Sequence, residues 1–545
     1  MMRRNALLGL GYLQIYHGAA AYVWPSKYDY LEDLMMLQNG YIRHGFIDEV
    51  NPCSFGTNIP GRQNAAEWIR TAYHDMSTHD SAAGTGGLDA SIMFELDRDE
   101  NVGSAFNDTF GFTNNFYSIK SSTADLLALA VVTASTMCDG PEIPFRAGRV
   151  DATEAGPMGV PKPDEDLETH TSRFATAGFN TSDMITMVAC GHTLGGVHGE
   201  NFPEITGDSS EGQVSRFEGD GATFAEFDNV VVTQYLGSPS DNHNLLVVGS
   251  NDTTNSDKRV FGADGNVTMN ALADPAVFKS KCADILARMI DTVPSSVTLS
   301  DEIQPIEIKP YITRLSLNEN GTMAFEGRVR VRTTATTGRN SDDMSVHLTY
   351  ADRAGANATT MIKTTHPTLK SGASTGLYSE RFAWYEYATV LDPSVGISKF
   401  NVHVTTPSTG AVEVFDNVGL GFPVDDAILY QQPQSCLNIT IVDGNMDLTV
   451  SAAVRQDRVK EAVAMNLVFE VPRQGVAVPA LDVRPIALEQ TDIEKSGYTL
   501  FEARTPLPAD SWSTTFDVVL GDGDTQSVVE YQRTSVLTDD ACIAL

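Results

Sequence analysis

The sequence predicts a multidomain protein: a mostly α-helical N-terminal domain followed by β-sandwich-like C-terminal modules. Three observations predict it. The chain has 545 residues, too many for one hydrophobic core. From Ser26 to about Asp291, apolar residues recur at spacings of three and four. Past Pro294 the pattern shortens to alternating runs separated by turn residues. The boundaries that follow are 1–21, 22–296, 297–428 and 429–545.

Residues 1–21 read as a signal peptide. Arg3 and Arg4 supply the basic start, Ala6 to Tyr16 the apolar stretch, and Ala19-Ala20-Ala21 the small-residue cleavage site. A secreted protein is therefore expected, and seven Asn-x-Ser/Thr triplets, at Asn107, Asn180, Asn251, Asn266, Asn320, Asn357 and Asn438, allow glycosylation. Hydrophobic content of 42% and charged content of 20% describe an ordinary globular chain. A net charge of −34 argues against nucleic acid and anionic membrane surfaces, both of which need clustered Lys and Arg. No run after the signal is long and apolar enough to span a bilayer. Six cysteines allow three disulfides, and spacing does not give their connectivity. The terminal Cys542-Ile-Ala-Leu matches a prenylation signal, but Asp539 and Asp540 precede it and a secreted chain does not meet the cytosolic enzyme. A pairing of Cys542 with Cys436 is expected instead.

In the helical half, Gly61 to Met76 reads as a helix with Arg70 and His74 four residues apart on one face. Ala65, Ala66, Trp68, Ile69, Ala72 and Tyr73 are apolar enough to bury much of it. A permanent cation beside a titratable base on a buried surface is a polar device more than a packing choice. Further helices are predicted at Thr123 to Ser135, Ser182 to Gly191 and Pro275 to Met289, with Thr181 or Ser182 capping the second and Asp183 in its first turn. In the second half, Val297 to Leu317 alternates apolar residues with prolines. Strands are predicted at Met323 to Thr333, Met344 to Tyr350, Ala388 to Leu391, Lys399 to Thr405, Leu437 to Val442, Met446 to Val454 and Met465 to Val471. No catalytic or metal-ligating cluster stands out after residue 300, so an accessory or packing role is expected there.

Two stretches of the helical half belong together. The first is Arg70-Thr-Ala-Tyr-His74-Asp75, then Gly86-Gly-Leu-Asp89-Ala-Ser91-Ile, then Glu100-Asn101-Val-Gly103. The second is Asp183 to His198, containing Cys190-Gly-His192-Thr. In order and separation they resemble the plant, fungal and bacterial haem peroxidase superfamily, and its secreted fungal branch most closely, over roughly residues 30–290. The Arg-Ala-Gly-Arg run at Arg146 to Arg149 fits the same family.

The resemblance implies a haem b enzyme that reduces hydrogen peroxide through an oxyferryl intermediate and takes electrons from small donors. His74 would carry the proton between the peroxide oxygens, Asn101 would fix its tautomer, and Arg70 would stabilise the departing oxygen. Tyr73 stands where the secreted branch usually has Phe. His192 would be the axial ligand, Gly191 would leave room for the ring, and His198 would touch a haem propionate. Asp257 is the best match for the carboxylate behind the axial histidine, although the loop to Asp274 is longer than the family's. Asp75, Gly87 through its carbonyl, Asp89 and Ser91 match a distal Ca²⁺ site. Thr193, Thr223 and Asp228 match a second, proximal site, with Glu218 or Asp220 replacing the usual Asp. One Ca²⁺ is expected and a second is allowed. Cys53 would pair with Cys138, and Cys190 would pair with Cys282 or stay a buried thiol.

The substrate expectation rests on residues that differ from the family's. Glu67 matches one carboxylate of a Mn²⁺ site, but Gln63 and His198 fall at the other two positions, and one carboxylate is too few. The proximal stretch Phe217 to Thr223 has no Trp. Small phenols or similar donors at the haem edge are therefore expected. Two rival readings are a low-activity haem protein whose β-modules bind cell wall, and a secreted structural protein without haem.

Overall fold

The computed structural model describes residues 22–56, 62–219, 225–237, 242–537, 542–543 and 545. The expected signal peptide, Thr223 and Asp220 lie outside them. Six helices frame the first half: α1 (Asp29–Met36), α2 (Asn64–Met76), α3 (Ala105–Thr113), α4 (Thr123–Met137), α5 (Leu167–Thr176) and α6 (Thr181–Gly191). Shorter helices follow, and Pro275–Ile290 closes this half. None of the described helices is long and apolar enough to cross a membrane.

Residues Thr123 to Ser135 of α4 are all buried, as an all-round apolar helix requires. It lies at the centre, against α2, and Ser122 caps it by accepting the Asp125 N–H at 3.1 Å. α6 is capped one residue earlier than expected. Asn180 Oδ1 accepts the Asp183 N–H at 3.0 Å, and Asp183 Oδ2 accepts the Asn180 N–H at 3.1 Å. Thr181 is already the first helical residue, so its hydroxyl cannot serve from outside the helix. α2 has no side-chain cap. Gln63, which precedes it, instead accepts the Gly195 N–H at 2.8 Å and donates to the Cys53 carbonyl at 3.2 Å. That side chain ties the start of α2 to the segment just after His192.

Disulfides join Cys53 to Cys138, Cys190 to Cys282 and Cys436 to Cys542. The Cys190 alternative thus resolves to a bond between α6 and the closing helix, in the layer beside His192.

The second half is antiparallel sheet. One sheet runs, in spatial order, Asn39–Gly40, Ala373–Thr375, Arg381–Leu391, Met323–Arg332 and Ile308–Leu317. The sheet facing it is built on Lys399–Thr406 and Ser345–Ala351. Phe325, Tyr385 and Tyr387 of the first meet Leu348, Phe400 and Val402 of the second in one core. A further pair of sheets, centred on Asn445–Arg455 with Tyr498–Pro508 and on Val463–Val471 with Thr515–Leu520, encloses Leu448, Val450, Met465 and Phe516. The run expected at Ala388 to Leu391 is the end of an eleven-residue strand, Arg381–Leu391. Its earlier part, Phe382 to Tyr385, is buried on both faces and therefore shows no alternation.

The halves interlock. Asn39 and Gly40 pair with Thr375 and Ser374. Gly40 has φ +114°, and a Cβ there would sit 2.2 Å from the Ala373 carbonyl oxygen. Glu32 and Asp33 of α1 are buried against Lys309 and Arg330 of the first sheet. Lys309 Nζ lies 3.0 Å from Glu32 and 2.9 Å from Asp33, and Arg330 Nη1 3.0 Å from Asp33. Leu377, Phe382 and Trp384 share the helical half's core.

Candidate active site

A cavity of about 590 Å³ opens between α2 and α6, lined by Arg70 and His74 on one side and Gly191, His192 and Phe217 on the other. Its volume lies within the roughly 300–1,000 Å³ usual for small-molecule sites.

α2 presents its polar pair because Trp68, Ile69 and Ala72 point into the core. Arg70 Nη2 donates to the Val102 carbonyl at 2.9 Å, and its guanidinium lies 4.6 Å from the Phe106 ring centre. Burial pulls its pKa down to about 10, so it remains a cation at neutral pH. His74 is 7% exposed. Its Nδ1 is 2.8 Å from Asn101 Oδ1, and Asn101 Nδ2 donates to the Glu95 carbonyl at 3.0 Å. That second bond fixes which end of the amide faces the ring. Asn101 therefore accepts from Nδ1–H and leaves the Nε2 lone pair of His74 for the cavity. Burial, then the Arg70 charge, pushes His74 down to about 3. Tyr73 is half-buried beside Phe174, with ring centres 6.0 Å apart.

On the other side, His192 follows the last residue of α6. Its Nδ1 is 2.6 Å from Asp257 Oδ2, and Asp257 is 4% exposed on the short helix Ser256–Phe261. The longer loop after Asp257 does not displace it. Phe217 stacks flat on the imidazole, with centroids 3.9 Å apart and planes 6° apart. Phe217 and Phe106 escaped the sequence reading. The absence of Trp near residue 217 was the available signal for the first; a lone Phe on a helix gave none for the second.

The residues fit a large flat cofactor held through an imidazole. A Cβ on Gly191 would meet no protein atom within 4 Å, so it would project into open space at the cavity wall. One ring nitrogen from each histidine is already engaged, and the other is left for a ligand. His198, on a strand paired with Val214–Arg216, also lines the cavity.

Of the two expected cation loops the distal one is described in full, whereas the proximal one is described without Thr223 and Asp220. Asp75 is fully buried and accepts the N–H groups of Ala90 and Ile92 at 2.7 and 2.9 Å, while Ser91 donates its N–H to Asp89 at 3.1 Å. Gly87 must be glycine, with φ +113° and a Cβ that would sit 2.5 Å from the Thr292 carbonyl. Burial and the neighbouring Asp89 hold Asp75 well above the usual carboxylate range. Across the cavity, the Thr193 hydroxyl donates to the Asp228 carbonyl at 2.6 Å. Glu218, 3% exposed, is pushed up to about 9 by burial and by Asp228. Among the described residues no group of three or more His, Cys, Asp or Glu side chains is arranged for a metal. These loops would rely on hydroxyl and carbonyl oxygens beside their carboxylates.

Two imidazoles thus face one cavity, one with an amide and a guanidinium, the other with a carboxylate. Residues 56–273 match the peroxidase family, and this domain belongs to the haem peroxidase superfamily. Over 509 residues the chain is 38% identical to a WSC domain-containing protein of Arthroderma benhamiae, covering 92% of this chain and 66% of that protein. It is 36% identical over 144 residues to L-ascorbate peroxidase 5, peroxisomal, of Arabidopsis thaliana, covering 26% of this chain and 51% of the relative. It is 26% identical over 253 residues to the basic peroxidase of Zinnia elegans, covering 42% and 75%. The chain thus spans less than two thirds of the first two relatives. The similarity extends across ascorbate and basic peroxidases, so it fixes the superfamily and not the branch.

Proposed function

We propose that this chain is a secreted haem peroxidase, nearest the secreted fungal branch, that reduces hydrogen peroxide and oxidises small phenolic or similar one-electron donors. The observation that carries it is the pair His74–Asn101 and His192–Asp257 on the walls of one cavity. Bound haem would supply the redox chemistry, accepting electrons from donors and delivering them to peroxide. His192 would hold the iron through Nε2, with Asp257 accepting Nδ1–H and making the ring a stronger donor. His74 Nε2 would take the proton from one peroxide oxygen and return it to the other as the O–O bond breaks. Arg70 would stabilise the charge on the departing oxygen without losing its own proton. His198 would sit at the cofactor's polar edge.

Glu67 supports an organic donor over Mn²⁺. Arg62 Nε and Nη2 each lie 2.5 Å from a Glu67 oxygen, and Arg62 also pairs with Asp108. A carboxylate held this way offers little to a metal ion. The burial of the Asp75 and Glu218 carboxyls supports Ca²⁺ at the distal loop and a second cation at the proximal one. Three disulfides favour an oxidising compartment, in keeping with secretion. Purified protein reconstituted with haem should show a Soret band that shifts on stoichiometric peroxide and returns on adding a phenol. A band inert to peroxide would defeat the peroxidase reading.

A further inference from the structure

The loop 472–479 joins strands Val463–Val471 and Ala480–Ala487 of the last module, yet its tip is buried in the helical half. Val478 is fully buried in that half's core, with Val476 and Ala477 packed beside it. The Ala477 N–H points to the Met93 carbonyl at 3.4 Å, and the Ala477 carbonyl accepts from Asn114 Nδ2 at 3.0 Å. Arg473 closes the loop on itself by donating to the Val478 carbonyl at 3.1 and 2.8 Å. Its guanidinium carbon lies 4.9 Å from the Phe94 ring centre, and Nη2 lies 3.1 Å from Met93 Sδ.

Met93 and Phe94 end the single turn Ser91–Phe94. So short a turn has little hydrogen bonding of its own and takes its position from what packs on it. Its Ile92 N–H holds Asp75. The next residue, Glu95, supplies the carbonyl that orients Asn101, and Asn101 orients His74. The Glu95 carboxylate accepts the Gly156 N–H at 2.6 Å and pairs with Arg98 at 3.0 Å, so the turn is fixed from its far end too.

We propose that loop 472–479 of the last β-module is a positioning element for the distal histidine, clamping Met93 and Phe94 so that the Glu95 carbonyl, Asn101 and the His74 ring stay aligned. The β-rich half then has a part in catalysis although none of its described residues lines the cavity. The proposal rests on the peroxidase reading above.

The test uses the full haem-loaded chain and the bimolecular rate of its reaction with hydrogen peroxide in stopped flow. Arg473→Ala and Asn114→Ala should each slow that step about tenfold, the low end of the loss usual when a group that orients a site residue is removed. Haem content should be unchanged, and Arg473→Lys should recover most of the rate. In a His74→Leu background the same substitutions should cause no further loss, because the group they align is gone. Rates equal to wild type, or an equal loss without His74, would make the loop a core plug and overturn the proposal. If Arg473→Ala does not accumulate, Asn114→Ala decides by the same criteria. A wild-type chain that binds haem but ignores peroxide would remove the enzyme reading itself, and this proposal with it.

Discussion

The two histidines of the cavity invite comparison, because the same side chain meets opposite partners. His74 is held by a neutral amide, with a guanidinium four residues away on the same helix. His192 is held by a buried carboxylate. Burial and the neighbouring guanidinium penalise the protonated ring, and the neutral amide offsets this only in part, so His74 is a neutral base poised to accept. A carboxylate strengthens the opposite ring nitrogen as a donor to metal. The partner, more than the imidazole, sets the role.

The largest effect should come from removing the donor. His192→Ala should lose haem, measured as Soret absorbance per protein after reconstitution, and full retention would place the ligand elsewhere. His74→Leu should keep haem but slow the peroxide reaction by about a hundredfold or more. It should also change the pH dependence of stability. A histidine whose folded pKa lies near 3 takes up its proton on unfolding below about 6.5, so the wild type should lose stability as pH falls from 6.5 towards 3. Denaturant titrations of His74→Leu should show a shallower fall. Exchanging the partners sharpens the comparison. Asn101→Asp should raise the His74 pKa and move the acid limb of the peroxide rate from near 3 towards neutrality, while Asp257→Asn should leave that limb in place and lower haem affinity about tenfold. A limb unmoved by Asn101→Asp would show that the amide's neutrality is irrelevant. The smallest effect, a fall of a few degrees in Tm, is expected on chelation of Ca²⁺ from the Asp75–Asp89 loop, and calorimetry with and without added Ca²⁺ would read it.

Much of this site was legible in the sequence, for a physical reason. The chemistry needs particular side chains at particular spacings, and Arg70, His74, Asn101 and His192 carry both. What escaped is backbone or shape. The Glu95 carbonyl that orients Asn101 has no side-chain signature, and the flat stack of Phe217 on His192 is invisible until residues 25 apart are brought together. The fold shows the same division. α4 and α6 announce themselves as apolar runs of helical length, whereas the two-residue strand Asn39–Gly40 has no pattern at all. Its partner lies more than 330 residues away. Among the strands missed after Val471, Glu489–Lys495 is largely exposed and rich in charged residues, which hides its alternation.

The acidic pair on α1 has a practical corollary. Severing the chain at residue 296 would seem to release a self-sufficient enzyme, yet it takes away the sheet that covers Glu32 and Asp33 and, with it, Leu377, Phe382, Trp384 and Val478 of the helical half's own core. The surface so uncovered is apolar as well as acidic, and an exposed apolar patch is an aggregation liability. A short fragment should therefore express poorly, which makes the β-rich tail part of the heritable unit and not a detachable appendage.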